Sequence, residues 1–413
     1  MGSFFLQPTD PPDFLRSFFP SDEDLRCFHH CVTYSLSIIV VFEDHNPWTE
    51  HVAPLFMADG GQSTSGYALK LALLYLGAVH LSYLQGRDGN PTESAKTRSL
   101  ALRYRKECLA SIRKVSSVNL VTNIAAFLSA CALTLTADLL AANTRWRELM
   151  RIVNRAIRDV GGMDVIIPSS TVVDPALKCA VEALVNLSLL STFSSGQDYS
   201  LLSDGPQIVE GGPIWWKNLG EAEMRQPGLR RFETSCGISR SLILQFTALA
   251  SYLFQIPHHG RDASIENRLK EDWLLWASSQ GVLEQNKRVQ AGSMAIWHAG
   301  KILILSKIRK VPVSDQTIQE AASRILDICA SVGDKVEYLN WPLIIACSTF
   351  TDSNKRDIAR MQLKSFEIQC CYEIEVVQMV CEEMWTRMDE GEDEEACGWV
   401  EILLESGCPV LLG

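Results

Sequence analysis

The sequence predicts an all-α fold, a single large domain of packed antiparallel helices. Apolar residues recur three and four apart along most of the 413 residues, the spacing that gathers them on one helix face. No alternating apolar–polar run of strand length persists beyond a few residues. Start and stop signals bound the periodic stretches: Ser21-Asp22-Glu23 precedes the first, Asp174-Pro175 opens another, and Gly161-Gly162 supplies a left-handed stop.

Taken in order, residues 1–20 form an extended segment with four prolines, followed by an all-α domain over 21–412. Helical periodicity marks Arg26 to Phe42, Ser65 to Leu84, Glu93 to Arg113, Val118 to Ala142, Arg145 to Val160 and Pro175 to Phe193. The texture then changes to a long loop, rich in glycine and proline, near residues 195–230 with Trp215-Trp216 inside it. Loops of that length are functional or disordered. Helices resume at Ile238 to Gln255, Ser264 to Ser279, Asn286 to Arg309, Asp315 to Val332, Asp352 to Ile368 and Tyr372 to Asp389. The loop divides the domain into halves at 21–193 and 237–412.

Composition narrows the function classes. With 47% hydrophobic and 21% charged residues, the chain has ample apolar surface to bury, which excludes global disorder. A formal charge of −11 repels a phosphate backbone, so no direct nucleic-acid binding is expected. Leu120 to Ala137 lacks charge over a membrane-spanning length. Its Thr122, Asn123, Ser129, Thr134 and Thr136 favour a buried central helix, and no membrane association is expected. Thirteen scattered cysteines and no basic-then-apolar leader predict reduced thiols in an intracellular protein.

Motifs for common chemistries are missing. The sequence has no phosphate-binding glycine loop, no G-x-S-x-G elbow and no H-E-x-x-H. Cys27-Phe28-His29-His30-Cys31 is the densest group of metal-ligand types, but no second short-spaced pair completes four ligands. Neither metal nor cofactor is expected. The run from Asp389 to Glu395 reads as a solvated acidic loop.

The candidate site rests on aromatics. Trp297 and His298 lie on a helix whose next turn carries Gly300, where a missing side chain leaves a gap. Trp341 opens a Trp-Pro-Leu helix, and Pro342 in its first turn fixes the backbone there. Leaving Trp215 and Trp216 in water would cost roughly 1.5–3 kcal/mol each. These residues predict an apolar cavity bounded by Trp297, His298 and Trp341 and covered by the loop bearing Trp215 and Trp216. Ordinary core packing is the alternative for each.

Several segments, in order, carry a family resemblance. Asn46-Pro47-Trp48 with Pro54-Leu55 leads into an alanine-rich helix ending at His80-Leu81. Trp146 to Gly162, Leu339-Asn340-Trp341-Pro342-Leu343 with downstream Arg356, Glu383-Met384-Trp385-Thr386-Arg387, and Gly398-Trp399 to Leu411-Leu412 follow. Together they resemble the regulatory domain of fungal binuclear-zinc-cluster transcription factors, in the sterol-uptake-regulator-like branch. Cys347 and Gly300 depart from the pattern, and no C-x2-C-x6-C cluster occurs. The resemblance implies an effector domain that senses a hydrophobic small molecule or binds a protein partner or a second copy, without its own DNA-binding module. Two rivals stand beside it: a motif-less enzyme of fungal secondary metabolism, cyclase- or pericyclase-like, and a structural interaction subunit. The nucleus is expected for a regulator and the cytoplasm for an enzyme.

Overall fold

Caps and packing surfaces explain where each helix begins. The structure, a computed structural model, describes residues 13–42, 44–58, 63–115, 117–169, 172–197, 199–202, 212–226, 229–279, 286–333, 336–367, 371–393, 397–407 and 409–412. Among these, helices and helical turns make up the regular structure and no strand occurs. Residues 1–12 of the predicted N-terminal segment, 394–395 of the acidic run, and Cys370 and Cys408 lie outside the described residues.

Helix α1 (Asp22–His30) starts where the Ser21 hydroxyl accepts the Asp24 amide, with three carboxylates in its first turn facing the positive helix end. A π-turn, Cys31–Ser35, carries it onward, and a second, Trp48–Val52, follows the 36–46 connection. Helices α2 (Thr64–Arg87) and α3 (Pro91–Lys114) form an antiparallel hairpin through Asp88, Gly89 and Asn90, the most extensive helix pairing in the molecule. The predicted helix over 118–142 is split at Asn123 into α4 (Ser117–Thr122) and α5 (Ile124–Leu140). Then come α6 (Trp146–Asp159), α7 (Met163–Ile166) and α8 (Pro175–Ser195). Asp174 caps α8 by accepting the Leu177 amide at 2.8 Å, and Gly196 at φ +63° ends it.

α2 and α8 are long and apolar enough to cross a membrane, yet the windows that pass that test are 78% and 94% buried within the protein. They are core helices. Asp138 on α5 accepts a two-pronged bond from Arg105 at 2.6 and 2.8 Å and a third from the Tyr75 hydroxyl at 2.8 Å, tying α2, α3 and α5 together. Burial pushes the Asp138 carboxyl up, against the pull of Arg105.

The second half corrects one expectation. Residues 198, 203–211 and 227–228 of the predicted loop lie outside the described residues, but Trp215 and Trp216 sit on a helix, α9 (Ile214–Arg225). Pro213 precedes its first turn, where the missing N–H costs nothing. Helices α10 (Phe232–Cys236), α11 (Arg240–His259), α12 (Ala263–Ser279) and α13 (Lys287–Leu303) follow. Next are α14 (Gln316–Ser331), α15 (Asn340–Cys347), α16 (Ser353–Phe366), α17 (Tyr372–Glu390) and α18 (Trp399–Glu405).

The C-terminal end closes back on the first half. The Trp399 indole donates to the Phe193 carbonyl at 3.1 Å, the Leu412 amide to the Ser194 hydroxyl at 2.9 Å, and the Trp146 indole to the Pro409 carbonyl at 2.7 Å. The buried apolar residues accordingly form one connected cluster running through both halves.

Candidate ligand cavity

The five aromatic candidates fall into three packing groups. Trp215 and Trp216 meet edge to face at 5.7 Å, and Trp216 packs on Phe232 at 5.4 Å. The Arg240 guanidinium covers Trp216 at 4.2 Å. Both indoles are buried, so they cover no opening in the form expected of a loop. Trp297 pairs with Trp273, and His298 lies against Trp297 at 4.9 Å. Trp341 packs on Phe193 at 4.2 Å and on Trp399 at 5.6 Å. Phe246, in contact with both Phe193 and Trp273, joins the last two groups through filled aromatic packing.

The gap expected at Gly300 is filled by protein. A Cβ placed there would lie 2.0 Å from the Trp273 indole, which occupies the space opposite the glycine. Among the five candidates, the Trp341 indole N–H and His298 Nδ1 are buried without a hydrogen-bond partner. Burial, helped by Lys301 and Arg324, pushes His298 down to about 4.

An apolar cavity of about 100 Å³ lies elsewhere, between the halves. The first half contributes Ile38, Ile39, Trp48, Leu139 and Leu187, while Val336, Tyr338, Asn340 and Glu373 come from the second. Two of its walls are turns rather than helices, and polar contacts hold both. Asn46 fixes Trp48 by accepting its amide at 3.0 Å while donating to the Leu36 carbonyl at 2.7 Å. The Tyr338 hydroxyl donates to the Ile39 carbonyl at 3.4 Å, with Tyr338 itself at φ +63°, a conformation costly for an aromatic residue. Arg288 donates to the Glu337 carbonyl at 2.6 Å and to the Gly237 carbonyl at 3.4 Å.

At the polar end of the cavity, the Asn186 amide donates to Cys236 Sγ at 2.9 Å, and the Glu373 carboxylate accepts the Cys371 amide at 3.0 Å. Burial pushes the Tyr338 hydroxyl far up, so it stays protonated. The described cysteines are all buried free thiols, and no group of three or more His, Cys, Asp or Glu among the described residues is placed to hold a metal.

A second, outer cleft of about 560 Å³ opens beside the cavity. Its wall includes His45, Glu50, Lys178, Glu182, Arg230 and Ser235. Arg230 donates to the carbonyls of Asp44 and His45 at 2.6 and 2.7 Å, and to that of Phe42, so it secures this stretch of the cleft wall.

None of the five predicted residues lines the cavity or the cleft. The lining residues were legible only in part. Trp48 and Asn340 fall inside segments that carry the family likeness, whereas nothing local singles out Ile39, Asn186 or Tyr338.

Among the described residues the architecture is thus all-helical, with one apolar core running through both halves. The sequence model of the fungal specific transcription factor domain matches residues 25–413, and the chain belongs to that family. No curated protein and no solved structure gives a significant match.

Proposed function

We propose that the chain is the effector domain of a fungal transcription regulator, working in the nucleus, and that it accepts a small molecule with an apolar part between its halves. Family membership over residues 25–413 supports the regulatory role. The observation that carries ligand binding is the cavity whose walls come from both halves, since an occupant there would change how the halves meet. The five aromatic candidates enter this reading as the packing that holds the second half rigid.

The test has two parts. The chain is fused to a heterologous DNA-binding module driving a reporter, and protein purified from its own source is examined by native mass spectrometry. A retained small molecule, together with a reporter response altered by the cavity-filling Ala183→Leu, is the expected result. A reporter that is inert under all conditions overturns the regulatory role.

One surface observation favours a second reading, a protein contact. Val165, Val172, Ile214 and Met224 are 61%, 81%, 66% and 84% exposed. The Trp215–Asp164 bond brings Val165 toward Ile214 at the start of α9, and the Val173–Gln226 bond brings Val172 toward Met224 at its end. Exposed apolar groups of this kind mark interaction sites. Ile214→Lys should abolish any self-association seen by sedimentation; a purely monomeric wild-type chain removes the second-copy form of this reading.

A further inference from the structure

We propose that the second half carries a separate site for a free α-amino acid with an apolar side chain. The site is a pocket of about 280 Å³ where α15 and α17 end and α18 begins. It shares no lining residue with the inner cavity or the outer cleft, so the inference goes beyond the reading given above.

Charge is the first argument. Four charged side chains line the pocket, and two of them already form a pair. Arg356, buried, donates to the Phe350 carbonyl at 2.9 Å and to the Asp389 carboxylate at 2.6 Å. The other two, Lys307 and Glu392, form no ion pair among the described residues. Both lie within electrostatic reach of the Cys397 thiol on the pocket wall: burial pushes that thiol up, Glu392 adds to the shift, and Arg387 and Lys307 oppose it. One cation and one anion are left over in a single small space. A ligand with one carboxylate and one ammonium answers both, whereas a singly charged ligand leaves one unanswered.

Hydrogen-bond polarity is the second argument. The hydroxyls of Ser306, Ser348 and Thr349 donate at 2.8 Å to the carbonyls of Ile302, Ile345 and Ala346. With their protons spent, they offer the pocket only lone pairs, and an ammonium supplies three donors. The ends of α15 and α17, which contribute Ser348 and Met388 to the lining, add the negative poles of two helices.

Size is the third. A dry cavity of about 150 Å³ accepts benzene, so this pocket takes a molecule roughly twice as large, the size of leucine, methionine or phenylalanine. Val313, Met388 and Trp399 supply the apolar wall for the side chain. The Trp399 N–H is spent on the Phe193 carbonyl, which leaves its ring to the pocket. Asp389 and Glu392 are exposed, so the pocket opens to solvent on their side.

The experiment is calorimetric titration of the full chain with leucine, methionine and phenylalanine. The tightest binder is then compared with its decarboxylated amine and its deaminated acid. Each analogue should bind at least about tenfold more weakly, since each forfeits one charge-assisted contact. Lys307→Met should weaken the amino acid and the acid and spare the amine. Glu392→Gln should weaken the amino acid and the amine and spare the acid. If Lys307→Met fails to fold, Lys307→Gln removes the same charge. The proposal is overturned if none of the three binds tighter than about 1 mM, if either analogue matches the amino acid, or if affinity is indifferent to both variants. Binding lost on Ala183→Leu would place the amino acid in the inner cavity, with the same consequence.

Discussion

The indole N–H of Trp273 donates to the carbonyl of Trp297 at 3.1 Å, and the indole N–H of Trp297 donates to the carbonyl of Trp273 at 3.0 Å. This reciprocal pair locks α12 to α13. It needs a small residue one turn on, because the Trp273 ring lies over Gly300.

Gly300→Ala should therefore destabilise the protein by overpacking, by about 1–3 kcal/mol. Urea unfolding measures it. Combining it with Trp273→Leu should recover part of the loss, since the two changes act on one contact. An unchanged midpoint for Gly300→Ala would show that the indole does not occupy that space.

Asp138 is the most exposed to loss of a single partner. Its carboxylate is fully buried and bonded to Arg105 and Tyr75. Asp138→Ala strands a buried guanidinium and should cost about 3–5 kcal/mol. Tyr75→Phe removes one hydrogen bond and should cost about 1 kcal/mol. Equal effects of the two variants would contradict the ranking.

Acid should loosen the first half through two buried imidazoles. His30 and His80 lie 4.9 Å apart, and His80 Nδ1 meets the Ser35 hydroxyl at 3.1 Å. Burial holds His30 down to about 4, with His29 and Arg26 adding to the effect, and His80 down to about 3, with His30 and Arg87 adding. Because the unfolded chain protonates first, near 6.5, these groups stabilise fully above that pH and lose the contribution as pH falls toward 4 and 3. The slope approaches about 1.4 kcal/mol per pH unit per histidine. Stability curves from pH 7 to 4.5 should be shallower for His80→Asn; parallel curves would refute this origin.

The helix bearing Trp215 and Trp216 is held by charge. Lys178 bonds Glu182 and Glu223 at 2.7 and 2.9 Å, and Arg240 bonds the same two carboxylates while covering Trp216. Arg240→Lys keeps the charge but loses the ring contact over Trp216, at a cost of about 2 kcal/mol. Hydrogen exchange should quicken across Ile214–Arg225 before it does in α8. Unchanged exchange there would show that the network is not what fastens α9.

Trp215, Leu219 and Ala222 already have helical spacing, and all three are buried. The flanking Gly212-Pro213 and the internal Gly220 mask that period and suggest a loop. Packing against Phe232 and the buried charges overrides the weak propensity. The gap expected at Gly300 turns on a different point: a glycine on a helix marks close approach, and sequence does not say whether a ligand or an indole approaches.

What the sequence determined by itself was everything that depends on near neighbours. Helicity follows from spacing at three and four residues, and the starts at Ser21 and Asp174 follow from side chains that reach amides three residues on. Family likeness is likewise carried by short segments. The tertiary structure alone decided where space remains. The cavity lining is fixed by Tyr338 reaching the Ile39 carbonyl across 299 positions and by Asn186 reaching Cys236 across 50. No local pattern encodes such pairs, because a void is what remains after distant side chains have packed.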